Sequence, residues 1–470
     1  MSDIMDNKTM IIIAVVAVVA VAGVAAFVVM NNGGNGGDSE GALVDKILKE
    51  SECPSKSSRL WVYGNANEDD KLNDDDLTYL QGIIDGKNKT TVLADANADG
   101  KVNSDDIDFL KKLINADSKT KMKVYYVDNY HQVSAVNWPV STIAIGFSSG
   151  AYLADLTGLL GKVAMVDDTI KTTKWVNINS KYATLPSFGW EEKPDLEAVL
   201  ENKVDVYVPG YCYTITDSDT RKFFKGTSTD CMYMNTCDKD GGGDDSAKED
   251  IDRSIVMFAY LLQGDMTKTY EYLEWHDSVI GKIKKAVSGL SDSDKKMYIM
   301  FRNAPNFVTS GQYLIAGKGN TCTYHSEIAG ALVAGENAEL KDVYNTLDED
   351  AIYEIVRKYA QDGKFIIIDN ENDGIRQRDN QTFDVTTPSI AKMMAQSGIE
   401  ITYLSLARET CNSGLYLAET AFYLNMLYPE LSAGIDYEEI FEYYFDHFVT
   451  EDLSEYVDLD GHFFINWGVM

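Results

Sequence analysis

Residues 265–289 constrain the fold most strongly, because they predict one long helix. Asp265 can cap its first turn, since a short carboxylate accepts hydrogen bonds from free backbone amides. Gly289 is placed to end it. Apolar residues recur at three- and four-residue spacing along about 35 Å of this helix, at Met266, Tyr270, Leu273, Ile280, Ile283 and Val287. Such a helix can join two domains or pack on the outside of one.

Short β-rich runs alternate with helical runs on both sides of this helix. Before it they read KVYYV, TIAIGF, VAMV and VDVYVPG, and after it YIMF, KFIIID and IEITYL. This alternation is typical of α/β units. The sequence therefore predicts an α/β fold with two Rossmann-like lobes, at about 121–264 and 290–470, joined by a spine helix at 265–289.

Composition excludes several partners. The 470 residues include 74 acidic and 42 basic ones, a formal net charge of −32, which argues against nucleic acid or an anionic membrane surface. Six cysteines show no zinc-finger spacing, so a structural zinc site is not expected. The even count allows disulfides, with Cys231 and Cys237 the nearest pair, but no connectivity among all six is favoured.

Residues 10–30 contain no charged side chain and are long enough to span about 30 Å of hydrocarbon as a helix. They predict an uncleaved transmembrane anchor, with a single pass through the cell membrane and the bulk of the chain extracellular. A cleaved signal peptide is the alternative, although its apolar core is usually shorter and its start more basic. The glycine-rich stretch that follows predicts a flexible linker over residues 31–59.

Residues 60–117 contain a thirty-residue internal repeat with oxygen-bearing side chains at positions one, three, five, nine and twelve of each copy. This spacing is typical of a calcium loop followed by a helix. The second copy keeps Gly100 at the sharp turn, whereas the first has Asp70 there. Acidic turns that solvate a small helical pair are the alternative. The aligned positions are Asn65, Asn67, Asp69, Asn73 and Asp76 in the first copy and Asp95, Asn97, Asp99, Asn103 and Asp106 in the second.

The repeat pair resembles the dockerin family, whose two loop-and-helix repeats carry aspartate at the last ligand position. The resemblance implies a small all-α, EF-hand-like domain that binds Ca²⁺ in each loop, with the carbonyl oxygens of Lys71 and Lys101 completing the two ligand sets. Dockerins bind cohesins, so the resemblance also implies a cohesin domain as a partner.

Residues 185–210 read LPSFGWEEKPDLEAVLENKVDVYVPG, which predicts an aromatic loop, a short helix at 195–201 and a buried strand at 204–208. This block resembles part of the ABC-transporter substrate-binding proteins for iron complexes and vitamin B12, with Asp195, Leu196 and Glu197 at that family's N-L-E triplet. Five further stretches keep the family's order over about 121–470: IAIGFSSGAYLADLTGLLGKVAMVDDT, RSIVMFAYLLQGD, HSEIAGALVAGEN, LDEDAIYEIVRKYAQDGKFIIID and LYLAETAFYLNMLYPE. The resemblance implies a solute-binding domain that works with ABC permease and ATPase subunits.

The sequence contains no P-loop, GxSxG or HExxH motif and its five histidines are scattered, so an enzyme is not expected. A ligand cleft should be lined by loops at strand ends in both lobes. Tyr324 and His325 are also candidate iron ligands, although each candidate alone is compatible with a surface or packing role. The ligand-binding candidates are Phe147, Ser148, Tyr152, Trp190, Tyr211 and Tyr213 in the first lobe, and Arg302, Tyr313, Lys318, Tyr324, His325, Asn370 and Arg408 in the second.

The resemblance also assigns one carboxylate on each lobe to permease docking, and the matching positions are Glu197 and Asp350. The expected function is capture of an iron complex, haem, cobalamin or similar metal chelate outside the cell and delivery to an ABC importer. A cohesin-binding surface scaffold and an extracellular sensor are the alternatives.

Overall fold

The structure is a computed structural model that describes residues 40–172, 179–190, 193–209, 217–233, 250–302, 312–317, 321–338, 340, 342, 344–372, 398–407, 410, 414–449 and 463–469. It divides into two compact units, Met1–Ala42 and Leu43–Met470. The predicted anchor at 10–30 lies outside the described residues and stays a prediction. Among the helices that are described, none has the length and apolar character needed to cross a membrane.

Both repeats form a loop followed by a helix, α1 at Asp74–Ile84 and α2 at Ser104–Ile114. Each helix starts with a capping box, in which the Asn73 or Asn103 side chain accepts from the first turn and the aspartate three residues later accepts from the cap backbone. The loop residues that the sequence marks as calcium ligands therefore also fix where each helix begins.

An antiparallel hairpin follows the repeats, formed by β1 at Met122–Val127 and β2 at Val133–Trp138. The KVYYV run was expected to belong to the first lobe's alternating α/β pattern, but it pairs with β2 in this two-stranded sheet and bridges to Val62 of the repeat pair. The Tyr125 ring lies 6.0 Å from the Phe109 ring of α2, and the Val127 amide donates to Trp61 O at 3.0 Å. The hairpin thus fastens the repeat pair to the rest of the chain.

Part of the segment 31–59, which was predicted to be a flexible linker, is packed against the rest of the protein. Leu48 is buried, and its amide donates to His131 O at 2.8 Å, while the Asp45 amide donates to Val133 O at 2.9 Å. A short 3₁₀ helix spans Glu50–Glu52. Leu48 belongs to the apolar core, and Leu43 and Val44 pack against it, so the apolar residues of this segment were a signal that the linker prediction passed over.

The first lobe has a four-stranded parallel sheet in the order β4-β3-β5-β6. Its first three strands in chain order are short apolar runs that are almost wholly buried, as the sequence predicts for a sheet covered on both faces, whereas the last is a half-buried two-residue strand. The strands are β3 at Ile143–Ile145, β4 at Val163–Val166, β5 at Val206–Val208 and β6 at Asp230–Cys231. The helices are α3 at Ser148–Leu156, α4 at Asp168–Thr172, α5 at Lys181–Thr184, α6 at Leu196–Glu201, α7 at Asp217–Phe224 and α8 at Asp250–Leu261.

The predicted spine helix is present as α9 at Met266–Val287, and the Asp265 side chain caps it by accepting from the Lys268 amide at 3.0 Å. It ends before Gly289. Its buried face is rotated from the predicted stripe, because two polar residues belong to it and three apolar ones are only partly buried. The buried residues are Thr269, Tyr272, Leu273, His276, Val279, Ile280 and Ile283.

The second lobe has a mixed sheet in the order β10-β8-β7-β11-β12-β13, with β9 also paired to β7. β7, β11 and β12 are mutually parallel, whereas β8, β10 and β13 pair antiparallel at the two sides. The strands are β7 at Met297–Arg302, β8 at Gln312–Ala316, β9 at Leu332–Val333, β10 at Tyr344–Asp348, β11 at Lys364–Asn372, β12 at Glu400–Ala407 and β13 at Phe464–Val469. The helices are α10 at Thr321–Ile328, α11 at Ala334–Asn337, α12 at Glu349–Tyr359, α13 at Tyr416–Leu427 and α14 at Tyr437–Phe448.

One apolar core runs through nearly every part of the unit 43–470. It includes Leu110 of the repeat pair, Tyr126 of the hairpin, Leu153 of the first lobe, Ile283 of the spine and Leu424 of the second lobe. The repeat pair is therefore continuous with the two-lobed body.

Candidate functional site

Hydrogen bonds and close backbone contacts join the loops that follow β3, β4 and β5 in the first lobe. The Asp167 carboxylate is fully buried and accepts from the Phe147 amide at 2.6 Å and the Ile170 amide at 2.8 Å. Burial raises the pKa of Asp167 to about 6, against the effect of these hydrogen bonds. A Cβ added at Gly146 would lie 2.4 Å from Pro209 O, so the loops after β3 and β5 touch.

The described candidates of the first lobe fall into different environments. The rings of Phe147 and Tyr152 are buried, whereas Trp190 is 52% exposed. Ser148 is the first residue of α3. Tyr211 and Tyr213 lie outside the described residues. Phe147 thus contributes to packing in this structure, and Tyr152 alone joins the polar cluster defined below.

The second-lobe candidates are likewise dispersed. The Tyr313 hydroxyl donates to Glu349 Oε1 at 3.1 Å, and its ring packs on Phe301 in a separate core of this lobe. Arg302 and Asn370 are backbone members of β7 and β11. Lys318 and Arg408 lie outside the described residues. Tyr324 is half-buried beside His325, which is 1% exposed.

Polar and aromatic side chains from both lobes and the spine meet in one buried group, which we call the interlobe cluster. It joins Tyr152 of α3 and Asp252 of α8 to residues of α9, α10 and α13. Its members are Tyr152, Asp252, Tyr272, His276, His325, Tyr416 and Glu419, and all except Asp252 are at least nine-tenths buried. Burial raises the pKa of Tyr272 and of Tyr416 well above the usual range of a phenol, and nearby Tyr152 adds to both shifts.

Tyr416 is the centre of the cluster. Its hydroxyl donates to Asp252 Oδ1 at 2.9 Å and also contacts His276 Nε2 of the spine. Its ring stacks on His325, with ring centroids 4.7 Å apart and planes 20° from parallel. Because Tyr416 opens α13 after the end of β12, it ties the second lobe to the spine and to the last helix of the first lobe.

His325 and Glu419 form a completely enclosed pair. His325 Nδ1 lies 3.4 Å from Glu419 Oε2, and the two side chains are 1% and 0% exposed. Neither oxygen of Glu419 has a hydrogen-bond partner within the described part of the chain. A buried carboxylate left in this state is costly unless a donor or cation reaches it. The pair therefore has unused capacity for a polar or cationic group.

Asp277 connects the cluster to the protein surface. It accepts from Arg59 Nη1 at 2.9 Å and bonds to His276 Nδ1 at 2.9 Å. Burial acts to raise the pKa of Asp277, but the hydrogen bonds from His276 and Arg59 outweigh it and lower the pKa to about 2. Asp277 is therefore a carboxylate anion at neutral pH.

Sequence reasoning found Tyr152 and His325 but missed the other five members of the cluster. His276 was counted among scattered histidines, although Tyr272 and His276 lie four residues apart and so share one helix face. Tyr416 and Glu419 share a face of α13 in the same way, at a spacing of three residues. Polar residues inside an otherwise apolar helical stripe were the available signal.

The second repeat loop has the geometry of an oxygen-lined turn. Asp95 accepts from the Asp99 amide at 3.0 Å and the Gly100 amide at 2.7 Å, while buried Asp106 accepts from the Asn97 and Asn103 amides. Burial raises the pKa of Asp95 to about 7, and Asp106 and Asp99 add to the shift. A cation at this position would relieve the repulsion among these carboxylates, so the residues fit calcium.

The first loop has the same hydrogen-bond pattern at its last ligand position but carries asparagine at its first. Asp76 accepts from the Asn67 amide at 3.2 Å and the Asn73 amide at 2.9 Å, and burial raises its pKa to about 6. Asn65 is fully buried, and its Oδ1 has no hydrogen-bond partner within the described part of the chain. An unpaired oxygen at the leading ligand position also fits a cation.

Metal sites built only from His, Cys, Asp and Glu side chains differ from the two repeat loops. No group of three or more such residues that could hold a metal ion occurs among the residues described. The repeat loops depend instead on asparagine and backbone oxygens together with aspartate. The expected Cys231–Cys237 pairing also stays a prediction, since Cys237 lies outside the described ranges.

The two candidate docking carboxylates are exposed. Glu197 lies in the first turn of α6, after the Asp195 cap, and Asp350 lies in the first turn of α12, after the Asp348 cap. The Asp195 cap accepts from the Ala198 amide and the Asp348 cap from the Ala351 amide, at 3.0 Å and 2.9 Å. Both carboxylates are free to meet a partner without repacking a core.

Comparisons with known proteins identify the fold. No protein-family sequence profile matches the chain, and no curated protein matches it. Among solved structures, the chain is similar to the TroA-like periplasmic binding protein FepB from Veillonella parvula, at 13% identity and a TM-score of 0.52, over 73% of this chain and 99% of that one. It is also similar to the molybdate-bound periplasmic binding protein MolA from Haemophilus influenzae, at 13% identity and a TM-score of 0.52, over 70% and 99%.

A periplasmic solute binding protein from Veillonella parvula matches at 12% identity and a TM-score of 0.51, over 71% of this chain and 95% of that one. At these identities the likeness shows the fold, which is the mixed α/β fold of TroA-like periplasmic binding proteins. The prediction of an α/β fold is confirmed at that level, and the dockerin-like character of 60–117 stays a prediction.

Proposed function

We propose that this chain is an extracellular solute-binding protein, held at the cell membrane by residues 10–30. It captures an iron complex, haem, cobalamin or similar metal chelate and delivers it to an ABC permease and its ATPase. The TroA-like fold supports this proposal, because the matched solved structures are described as binding proteins. A fold alone does not determine function, so the proposal depends on a site.

The observation that carries the proposal is the His325–Glu419 pair within the interlobe cluster. A two-lobed binding protein holds its ligand between the lobes, and this cluster is where α3, α9 and α13 meet. Glu419 has two oxygens that lack hydrogen bonds among the described residues. A metal-bearing or cationic ligand group supplies the partner that such a carboxylate needs.

Replacing Glu419 with glutamine is expected to weaken chelate binding about tenfold or more, because the amide keeps the shape but removes the charge. Mass and visible spectra of material that copurifies from the native host would first identify the ligand. Titrations of the full-length protein with haemin, cyanocobalamin, a ferric siderophore and molybdate then compare wild type with Glu419→Gln.

The matched control is Glu438→Gln, on the exposed first turn of α14, which should leave affinity unchanged. Equal affinity in Glu419→Gln and wild type for every ligand that binds would place the site elsewhere. Failure of all four ligands, together with an empty protein from the host, would contradict transport itself.

The two repeat loops are proposed to bind one Ca²⁺ each. Asp95, Asn97, Asp99, Asn103, Asp106 and the Lys101 carbonyl would hold it in the second loop, and Asn65, Asn67, Asp69, Asn73, Asp76 and the Lys71 carbonyl in the first. Calcium there would neutralise buried carboxylates and fix the starts of α1 and α2.

The dockerin resemblance leaves a cohesin as a proposed partner and a cohesin-binding scaffold or an extracellular sensor as alternative functions. Ile84 at the end of α1 is 39% exposed and Leu77 is half-buried, so part of the repeat pair is accessible. Calcium-dependent capture of a cohesin domain by a protein that binds no chelate would favour the scaffold.

Reversing both docking carboxylates, Glu197→Lys with Asp350→Lys, is expected to leave ligand affinity within about a factor of two while weakening permease docking by roughly 1 to 3 kcal/mol. Rim charges steer encounter and fix register without reaching the cluster. The measurement is ligand titration alongside uptake in vesicles that contain the permease and ATPase.

A second double reversal, Glu201→Lys with Glu354→Lys, makes the same charge change on exposed positions of α6 and α12 and serves as the control. Uptake that survives the first reversal as well as the control would mean that Glu197 and Asp350 are ordinary solvated acids.

A further inference from the structure

The turn of the first repeat loop is bonded to the body of the protein. Asp70 occupies the position at which the second loop has Gly100, and its carboxylate accepts from Arg59 Nε at 2.8 Å, Nη2 at 2.6 Å and the backbone amide at 2.8 Å. Asp70 lies between Asp69 and Lys71, which supply two of the proposed calcium ligands. A cation that draws in these ligands must therefore also move or fix Asp70.

Arg59 carries the connection to the spine. The same guanidinium donates through Nη1 and Nη2 to the two oxygens of Asp277, at 2.9 Å and 3.0 Å. The Tyr270 hydroxyl donates to Asp70 O at 3.0 Å, and Lys71 Nζ lies 5.2 Å from the centre of the Tyr270 ring. Bidentate arginine pairs fix geometry as well as charge, so the loop and α9 keep a defined position relative to each other.

From Asp277 the polar contacts continue into the interlobe cluster. Asp277 bonds to His276 Nδ1, and His276 Nε2 contacts the Tyr416 hydroxyl, whose ring stacks on His325. Each residue in this series of contacts, from Asp277 to His325, touches the next. The second loop lacks the equivalent, since glycine replaces the residue that Arg59 binds.

We propose that calcium binding in the first loop is transmitted through Arg59, Asp277, His276 and Tyr416 to the interlobe cluster, and so regulates the ligand site. This inference rests on the proposed calcium and ligand sites. The first loop acts as a calcium sensor for the two lobes, and the second loop stabilises the repeat pair. The aspartate at the sixth loop position is then a coupling residue.

Hydrogen exchange of the full-length protein, in calcium and in EGTA, tests the coupling without any solute ligand. Calcium is expected to slow exchange about fivefold or more in α9 and at the start of α13, in addition to both loops. Asp277→Asn keeps the Arg59–Asp70 pair but weakens the next contact, so calcium should still protect the loops and lose its effect on α13. Arg59→Gln should remove the effect on α9 as well.

The control is Arg357→Gln, which breaks an exposed pair with Glu354 at 3.7 Å on α12 and should exchange as wild type does. Calorimetry with calcium alone distinguishes calcium binding by the loops from its coupling to α9 and α13. No calcium binding would contradict the proposed loops themselves. Calcium binding to both loops with unchanged exchange in α9 and α13, or with changes that persist in Asp277→Asn and Arg59→Gln, would overturn the coupling.

Discussion

Replacing Asp128 with alanine is expected to lower the free energy of unfolding by about 3–5 kcal/mol, because it removes a fully buried carboxylate that accepts an ion pair and several hydrogen bonds. The Asp128 carboxylate is fully buried and pairs with Arg221 Nη2 at 2.5 Å. It also accepts from Ser134 Oγ at 2.8 Å and from the Tyr130 and Gln132 amides at 2.8 Å and 3.1 Å. Urea unfolding followed by circular dichroism measures the loss.

Asp292→Ala is the matched control, since the Asp292 side chain is 93% exposed and pairs only at the surface with Lys295 at 2.8 Å. Its effect on the free energy of unfolding should be too small to resolve in the same experiment. Asp128 lies just after β1 and Arg221 lies in α7, so the pair joins the hairpin to the first lobe. A loss in Asp128→Ala no larger than in the control would show that this junction is held by apolar packing alone.

Calcium is expected to raise the free energy of unfolding by about 2.7 kcal/mol per site at a free concentration one hundred times its dissociation constant. Asp106→Ala should abolish the contribution of the second loop, because the missing carboxylate is the last ligand and is buried at the start of α2. The variant also loses its part of the capping box, so its stability in EGTA should fall by about 1 kcal/mol. The informative quantity is the difference between calcium and EGTA.

Asp108→Ala lies on the same helix, where the Asp108 side chain is 74% exposed, and should keep the full calcium effect. Calorimetry on the full-length protein should give one site fewer in Asp106→Ala than in Asp108→Ala. An unchanged calcium-dependent gain in Asp106→Ala would mean that the loop is a solvated acidic turn, the alternative that the repeat spacing left open.

Local sequence pattern was sufficient for the elements and their order. The cap at Asp265, the spine helix and the buried strands at 143–145, 163–166 and 206–208 all follow from residue types within a short window. Each of these patterns depends only on the hydrophobic periodicity of one element or on the residue that caps it. They can therefore be recognised without knowing tertiary contacts.

The interlobe cluster could not be predicted in this way. Tyr152, His276, His325 and Tyr416 are separated by dozens of residues, and only the assembled lobes bring them together. The rotation of the buried face of α9 has the same origin, because His276, on the same face as Tyr272, is buried against Tyr416 of the second lobe. The prediction that the KVYYV run belongs to the first lobe was wrong for a related reason, since β-propensity does not determine which strand is the partner.

The continuous core described for unit 43–470 has a consequence for how this protein can be divided. A chain beginning at residue 121 would uncover the Tyr125 ring that now lies beside Phe109, and would remove the backbone bridge from Val62 to Tyr126, which leaves that edge of β1 unpaired. Exposed edges of this kind recruit other chains. The repeat pair is therefore not a separable module, and we expect its removal to require compensating substitutions in the hairpin.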